Sequence, residues 1–194
     1  MPMTLTRSLL TILIPGLIAI APWLLLLVQY TSATLGFKEN LTLANALVFT
    51  TAAVVGSLFE AAGSTREVAW DEERNEALAV KENWYIYLSR QLEREPVGYR
   101  YLSRLVTTLY FELAMMFAAP IFFAGACLLA SFRFAANAPF MIIGSLMLIV
   151  SVAAYFRAQA RCTHEVICKT RAQINARTLP ANNSFNPMPL RGTG

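Results

Sequence analysis

A chain of 194 residues that is 56% apolar and only 14% charged falls well short of the roughly 25% charged usage of soluble domains, which excludes an ordinary water-soluble globule and points to lipid. Its net charge of +4 is divided among segments beside apolar runs and leaves no separate basic patch, so direct nucleic-acid binding is excluded as its cause.

No charged residue lies between Arg7 and Lys38, between Asn40 and Phe59, between Leu113 and Phe132, or between Phe134 and Phe156. Each interval approaches or exceeds the ~20 residues that a helix needs to cross about 30 Å of hydrocarbon. The fold class predicted is therefore all-α and polytopic. It has two spans over 1–63, an amphipathic helical segment over 64–104, two spans over 105–156, a helix over 157–179 and a disordered tail over 180–194.

Span one covers about residues 9–30. Arg7 before an apolar run, with Ala19-Ile20-Ala21 as a cleavage-like site, imitates a signal peptide, but the run continues to Val28 and Pro22 would follow the cut, so a retained span is predicted. Pro15, Gly16 and Pro22 predict a kink or break near its middle. Trp23 should be a helix contact and Tyr30 an interfacial ring. Span two, about 41–62, carries Ala52 and Gly56 on a spacing that lets helix backbones approach.

Gly63 is suited to stop that helix, and Ser64-Thr65-Arg66-Glu67 fits a capping box that would start another, running to about Glu95 before Pro96-Val97-Gly98. The segment 64–104 holds seven of the sixteen basic and eight of the twelve acidic residues. Trp70, Trp84, Tyr85, Leu88 and Leu92 fall on one side of the expected helix. They are the candidates for docking a partner or the headgroup surface, the alternative being that they pack a small helical layer within the chain.

Span three begins near Leu105 and contains Glu112, the most embedded charge in the sequence; Glu60 of span two lies at a comparable depth. An intramembrane carboxylate is by default a functional candidate, so Glu112 and Glu60 are the candidates for an ion pathway. The competing reading has Glu60 reaching the interface and Glu112 pairing with Arg100, Arg104 or Arg157. Span four, about 139–156, runs on without Gly or Pro beyond the lipid, where Ala160, Ile167 and Ile174 form a thin heptad stripe that suits packing on the middle helix or on a copy of itself.

Fourteen of the sixteen Lys and Arg residues fall on one side of this layout, leaving Lys38 and Arg133 on the other; the bias puts both termini and the middle segment in the cytoplasm. Alanine- and arginine-rich usage suggests a bacterial inner membrane. Cys127 would then sit in a span, with Cys162 and Cys168 in a reducing compartment, so no disulfide is expected. His164 stands among Cys162, Glu165 and Cys168, yet Cys-x-His-x3-Cys on one helix scatters its side chains around the axis. No metal is expected there, and these residues read as a solvated polar surface. No phosphate loop and no Ser/His/Asp set occurs, so neither an enzyme nor a cofactor is expected.

Four spans around a charge-dense layer, at this length, resemble the membrane subunit of Kiwa-type anti-phage defence systems. That resemblance implies a homo-oligomer in the inner membrane working with a cytosolic DNA-binding protein partner; it carries over no functional residue. The expected function is a non-enzymatic membrane subunit that recruits or senses through its cytoplasmic layer. The alternative is an ion channel or small transporter using Glu112, with the broken span one as a gate.

Overall fold

The computed structural model describes residues 9–31, 41–78, 97–133 and 138–178. A π-helical turn, Leu9–Leu13, leads into α1 (Ile14–Thr31); α2 (Leu41–Leu78), α3 (Val97–Arg133) and α4 (Ala138–Thr178) follow. Every described element is helical, and four helices are long and apolar enough to cross a membrane.

At 1.5 Å per residue, helices the length of α2, α3 and α4 run roughly 55–60 Å, about twice the hydrocarbon thickness. Their uncharged parts, over 41–59, 113–132 and 138–156, fit that thickness. Each of the three helices is thus longer than one crossing needs, and their charged ends meet at one end of the bundle.

The break expected in the middle of span one lies instead at its start. Pro15 lacks the N–H that would close a regular turn on Thr11, and the chain accommodates this with the π turn just before it. Pro22 stays inside α1 and packs closely on Gly125 of α3, where an added Cβ would lie 2.9 Å from the Pro22 ring. Beside it the Trp23 indole donates to the Ile121 carbonyl at 3.2 Å, so Trp23 is a helix contact as its depth implied.

Span two does not end at Gly63. α2 is unbroken from Leu41 to Leu78, and Ser64 and Thr65 spend their hydroxyls on the Ala61 carbonyl at 2.8 and 3.0 Å rather than capping a new helix. Gly63 is buried against α3, where an added Cβ would lie 2.9 Å from Leu113 Cβ. Its missing side chain serves a close approach between helices, not a stop. The small residues of span two act likewise against α1: a Cβ on Gly16 would strike the Ala52 carbonyl, and one on Gly56 the Ile12 carbonyl.

Two apolar clusters hold the bundle. Ala19, Phe59, Ala114, Met115, Ala118 and Ala119 join α1, α2 and α3, with Val152 and Phe156 of α4 against them. Toward the charged end, Trp70, Leu102, Leu109, Leu113, Ala160 and Ile167 join α2, α3 and α4. The stripe Ala160/Ile167 thus packs on the middle of the chain itself. The other face of α4, including Phe140, Leu146, Met147 and Val150, is more than half exposed, as a lipid-covered surface would be and a water-covered one rarely is.

Candidate functional site

His164, Cys168 and Arg171 stand at i, i+4 and i+7, one stripe of α4, and all three are buried, with His164 5%, Cys168 1% and Arg171 5% exposed. The stripe turns toward α2, where Asp71 follows the core residue Trp70. Asp71 Oδ1 is 3.0 Å from His164 Nε2, 3.7 Å from Cys168 Sγ and 3.9 Å from Arg171. Cys168 Sγ is in turn 3.8 Å from His164 Nε2, and the Trp70 ring meets the imidazole edge-on at 5.8 Å between centroids. At the rim, Arg161 donates to Glu73 at 3.1 Å.

These residues correct the expectation of a solvated polar surface. Cys162 and Glu165 are exposed as expected, but His164 and Cys168 share the inward face, because a four-residue step returns to the same side of a helix. Asp71 was not singled out by sequence; its partner is 93 positions away.

Electrostatics bind the cluster. The hydrogen bond from His164 holds the Asp71 carboxyl below its usual range, against the opposing effect of burial and with help from the Arg171 charge. Burial by itself would pull the His164 pKa down; the bond to Asp71 and the contact with Cys168 outweigh it and push it up to about 9. With metal ions chelated, His164 therefore contributes stability that is full below about pH 6.5 and lost as pH rises through about 9. Asp71 contributes stability that is full above pH 3.8 and lost in stronger acid as its lowered pKa is passed. Melting temperature in detergent is expected to fall between pH 6.5 and 9, and His164→Gln is expected to flatten that alkaline limb.

The cluster divides two clefts. One, of about 410 Å³, is lined by Glu67, Tyr110, Asp71, His164, Cys168 and Arg171; the other, of about 440 Å³, lies toward Trp70, Glu73, Arg161 and Lys169. Chemically this is not a nucleophile–base–orienter relay. Such a relay needs the nucleophile and the acid on opposite imidazole nitrogens, and here Asp71 and Cys168 both approach Nε2. The donor set could instead hold a metal, since one ligand atom from each of Asp71, His164 and Cys168 lies within 4.8 Å of the others.

The residues singled out by sequence fare differently. Trp70, expected as a docking residue, is 6% exposed and consumed by the core of the layer. This corrects the docking role and agrees with the competing reading; Trp84, Tyr85, Leu88 and Leu92 lie outside the described residues. Glu112 is buried and bonds across to Gln159 and Thr163 of α4, while its Oε2 has no hydrogen-bond partner among the described residues. Glu60 is half-buried on α2, and no described hydrogen bond joins the two carboxylates. Compared with protein-family models, curated proteins and solved structures, the chain matches none.

Proposed function

We propose that the protein is a non-catalytic, multi-pass membrane subunit that holds a cytosolic protein on the helical layer at its charged end, with further copies of the chain beside it in the bilayer. The observation that carries this reading is the division of labour within the layer. Its own buried contacts, Asp71–His164 and the Trp70 cluster, keep the layer assembled. Meanwhile Glu72, Glu73, Glu76, Arg161, Glu165 and Lys169 stand exposed on its outside, a mixed-charge rim suited to partner recognition. The Lys/Arg bias supports a cytoplasmic side for this layer. Anti-phage defence at a bacterial inner membrane is the setting that the resemblance to Kiwa-type subunits implies.

A photo-crosslinker placed at Lys169 in the native host tests this. It is expected to capture a defined cytosolic chain, and Arg161→Glu elsewhere on the rim is expected to abolish the capture. A crosslinker at Leu146 should capture lipid or other copies of the chain. Capture of the same species from both positions, or labelling of a cysteine at position 165 from outside intact cells, would overturn the reading.

One observation favours the ion-pathway alternative: buried Glu112 has an Oε2 with no hydrogen-bond partner among the described residues. Glu112→Gln keeps the side-chain shape and its bonds to Gln159 and Thr163, so its stability is expected within about 1 kcal/mol of the parent. Ion flux into liposomes is expected to stay at the lipid background for both proteins. Flux in the parent that disappears in the Gln variant would transfer the conclusion to a channel.

A further inference from the structure

We propose that Asp71, His164 and Cys168 form a binding site for a zinc-class divalent cation that clamps α2 to α4. Carboxylate, imidazole and thiolate together are the ligand types zinc selects, and three protein ligands with one open position is a common zinc arrangement. With zinc–ligand bonds of about 2.0–2.3 Å, tetrahedral coordination places ligand atoms roughly 3.3–3.7 Å apart. The three separations here are 3.0, 3.7 and 3.8 Å, so the site assembles with shifts of a few tenths of an ångström. His164-x3-Cys168 supplies two ligands from one helix face, the same i, i+4 geometry that paired histidines use in helical zinc sites.

The fourth position would open on the cleft lined by Glu67 and Tyr110, which gives the ion both an entry path and room for a water. Arg171, near the same carboxylate oxygen, is the group that would oppose a cation. Its opposition is limited by charge balance, because ligands shed their protons on binding. A dication entering as the imidazolium and the thiol each lose one proton leaves the net charge of the cluster beside Arg171 unchanged. The inference stands apart from the partner-docking reading, since a clamp between α2 and α4 requires no second protein.

The test uses full-length, tag-free protein in detergent carrying Cys127→Ser and Cys162→Ser, so that Cys168 is its sole thiol. Cobalt(II) titration is expected to give one equivalent of binding, with a thiolate-to-cobalt charge-transfer band in the near ultraviolet and intense tetrahedral bands in the visible, all displaced by zinc. Loss of a partner one shell out from a metal costs ten- to a hundredfold in affinity; adding Cys168→Ser, which removes a ligand itself, is expected to abolish the near-ultraviolet band and weaken cobalt binding by about 100-fold or more. Asp71→Asn is expected to weaken it at least about tenfold. Should those variants fail to fold, alkylation of Cys168 in the folded background protein provides the second readout, slowed by zinc and restored by a chelator. Absence of the thiolate band, equal affinity after Cys168→Ser, or alkylation indifferent to zinc would overturn the site.

Discussion

Asp71→Ala is expected to destabilise the bundle by about 3 kcal/mol, the lower end of the ~3–5 kcal/mol that follows when one partner of a buried ion pair is removed. Two cationic side chains, His164 and Arg171, are buried against this one carboxylate, each with 6% side-chain exposure. Without it His164 must lose its charge, move or remain uncompensated, and Arg171 loses the Asp71 carboxylate from its surroundings. The lower end applies because Asp71 itself is 33% exposed, so water can enter where the carboxylate stood. Urea unfolding in detergent, followed by Trp fluorescence, measures the change. Replacing His164 by Gln in the same variant is expected to recover part of the loss, since the imidazolium stranded by the change is then gone. A loss under about 1 kcal/mol for Asp71→Ala, the range of exposed pairs, would place the pair in the solvent-screened class.

Gly16→Val is expected to cost at least about 3 kcal/mol, the upper end of overpacking penalties, because the new side chain meets backbone that cannot yield. Its Cβ would fall on the carbonyl of Ala52, with Gly56 N only 3.1 Å away. Both atoms belong to the hydrogen-bond ladder of α2, so relief requires α1 to separate from α2. Gly56→Val meets the Ile12 carbonyl in the same way and should act alike. Gly144→Ala supplies the contrast: nothing lies within 4 Å of the added atom, and the variant is expected to stay within about 1 kcal/mol of the parent, on the stabilising side by helix propensity. Disulfide trapping of cysteine pairs across α1 and α2 reads the separation directly. Efficient trapping in Gly16→Val would show that the crossing tolerates a side chain.

The four apolar helices were legible because charge is excluded from hydrocarbon whatever the fold, so the uncharged intervals mark them without knowledge of any contact. The burial of Glu112 was legible for the same reason, although its partners Gln159 and Thr163 on α4 were not. Where sequence reasoning misplaced a boundary, at Gly63 to Glu67, the residues are ambiguous in themselves. A glycine followed by hydroxyl residues suits a helix end in water, yet it equally suits an uninterrupted helix pressed against Leu113, with the hydroxyls bonded back to Ala61. Tertiary packing decides between the two. The Asp71–His164 pair was illegible because each partner satisfies only its local helix pattern, and nothing within a turn of Asp71 announces a histidine on another helix. The i, i+4, i+7 stripe of His164, Cys168 and Arg171, interleaved with Ile167, is the signal that could have marked an inward polar face.

The continuity of α2 through Gly63 has a mechanical consequence. With no joint between the lipid-facing portion and Leu78, the last fifteen residues act as a rigid lever of about 22 Å. A helix adjusts to bilayer thickness mainly by leaning, and a lean of about 10° swings the tip of such a lever by roughly 4 Å. Unless α4 leans in step, Asp71 must slide past His164, and a hydrogen bond of 3.0 Å does not survive a slip of even about 1 Å. Were α2 to cross a bilayer as proposed, a change in bilayer thickness would therefore bear on that one contact.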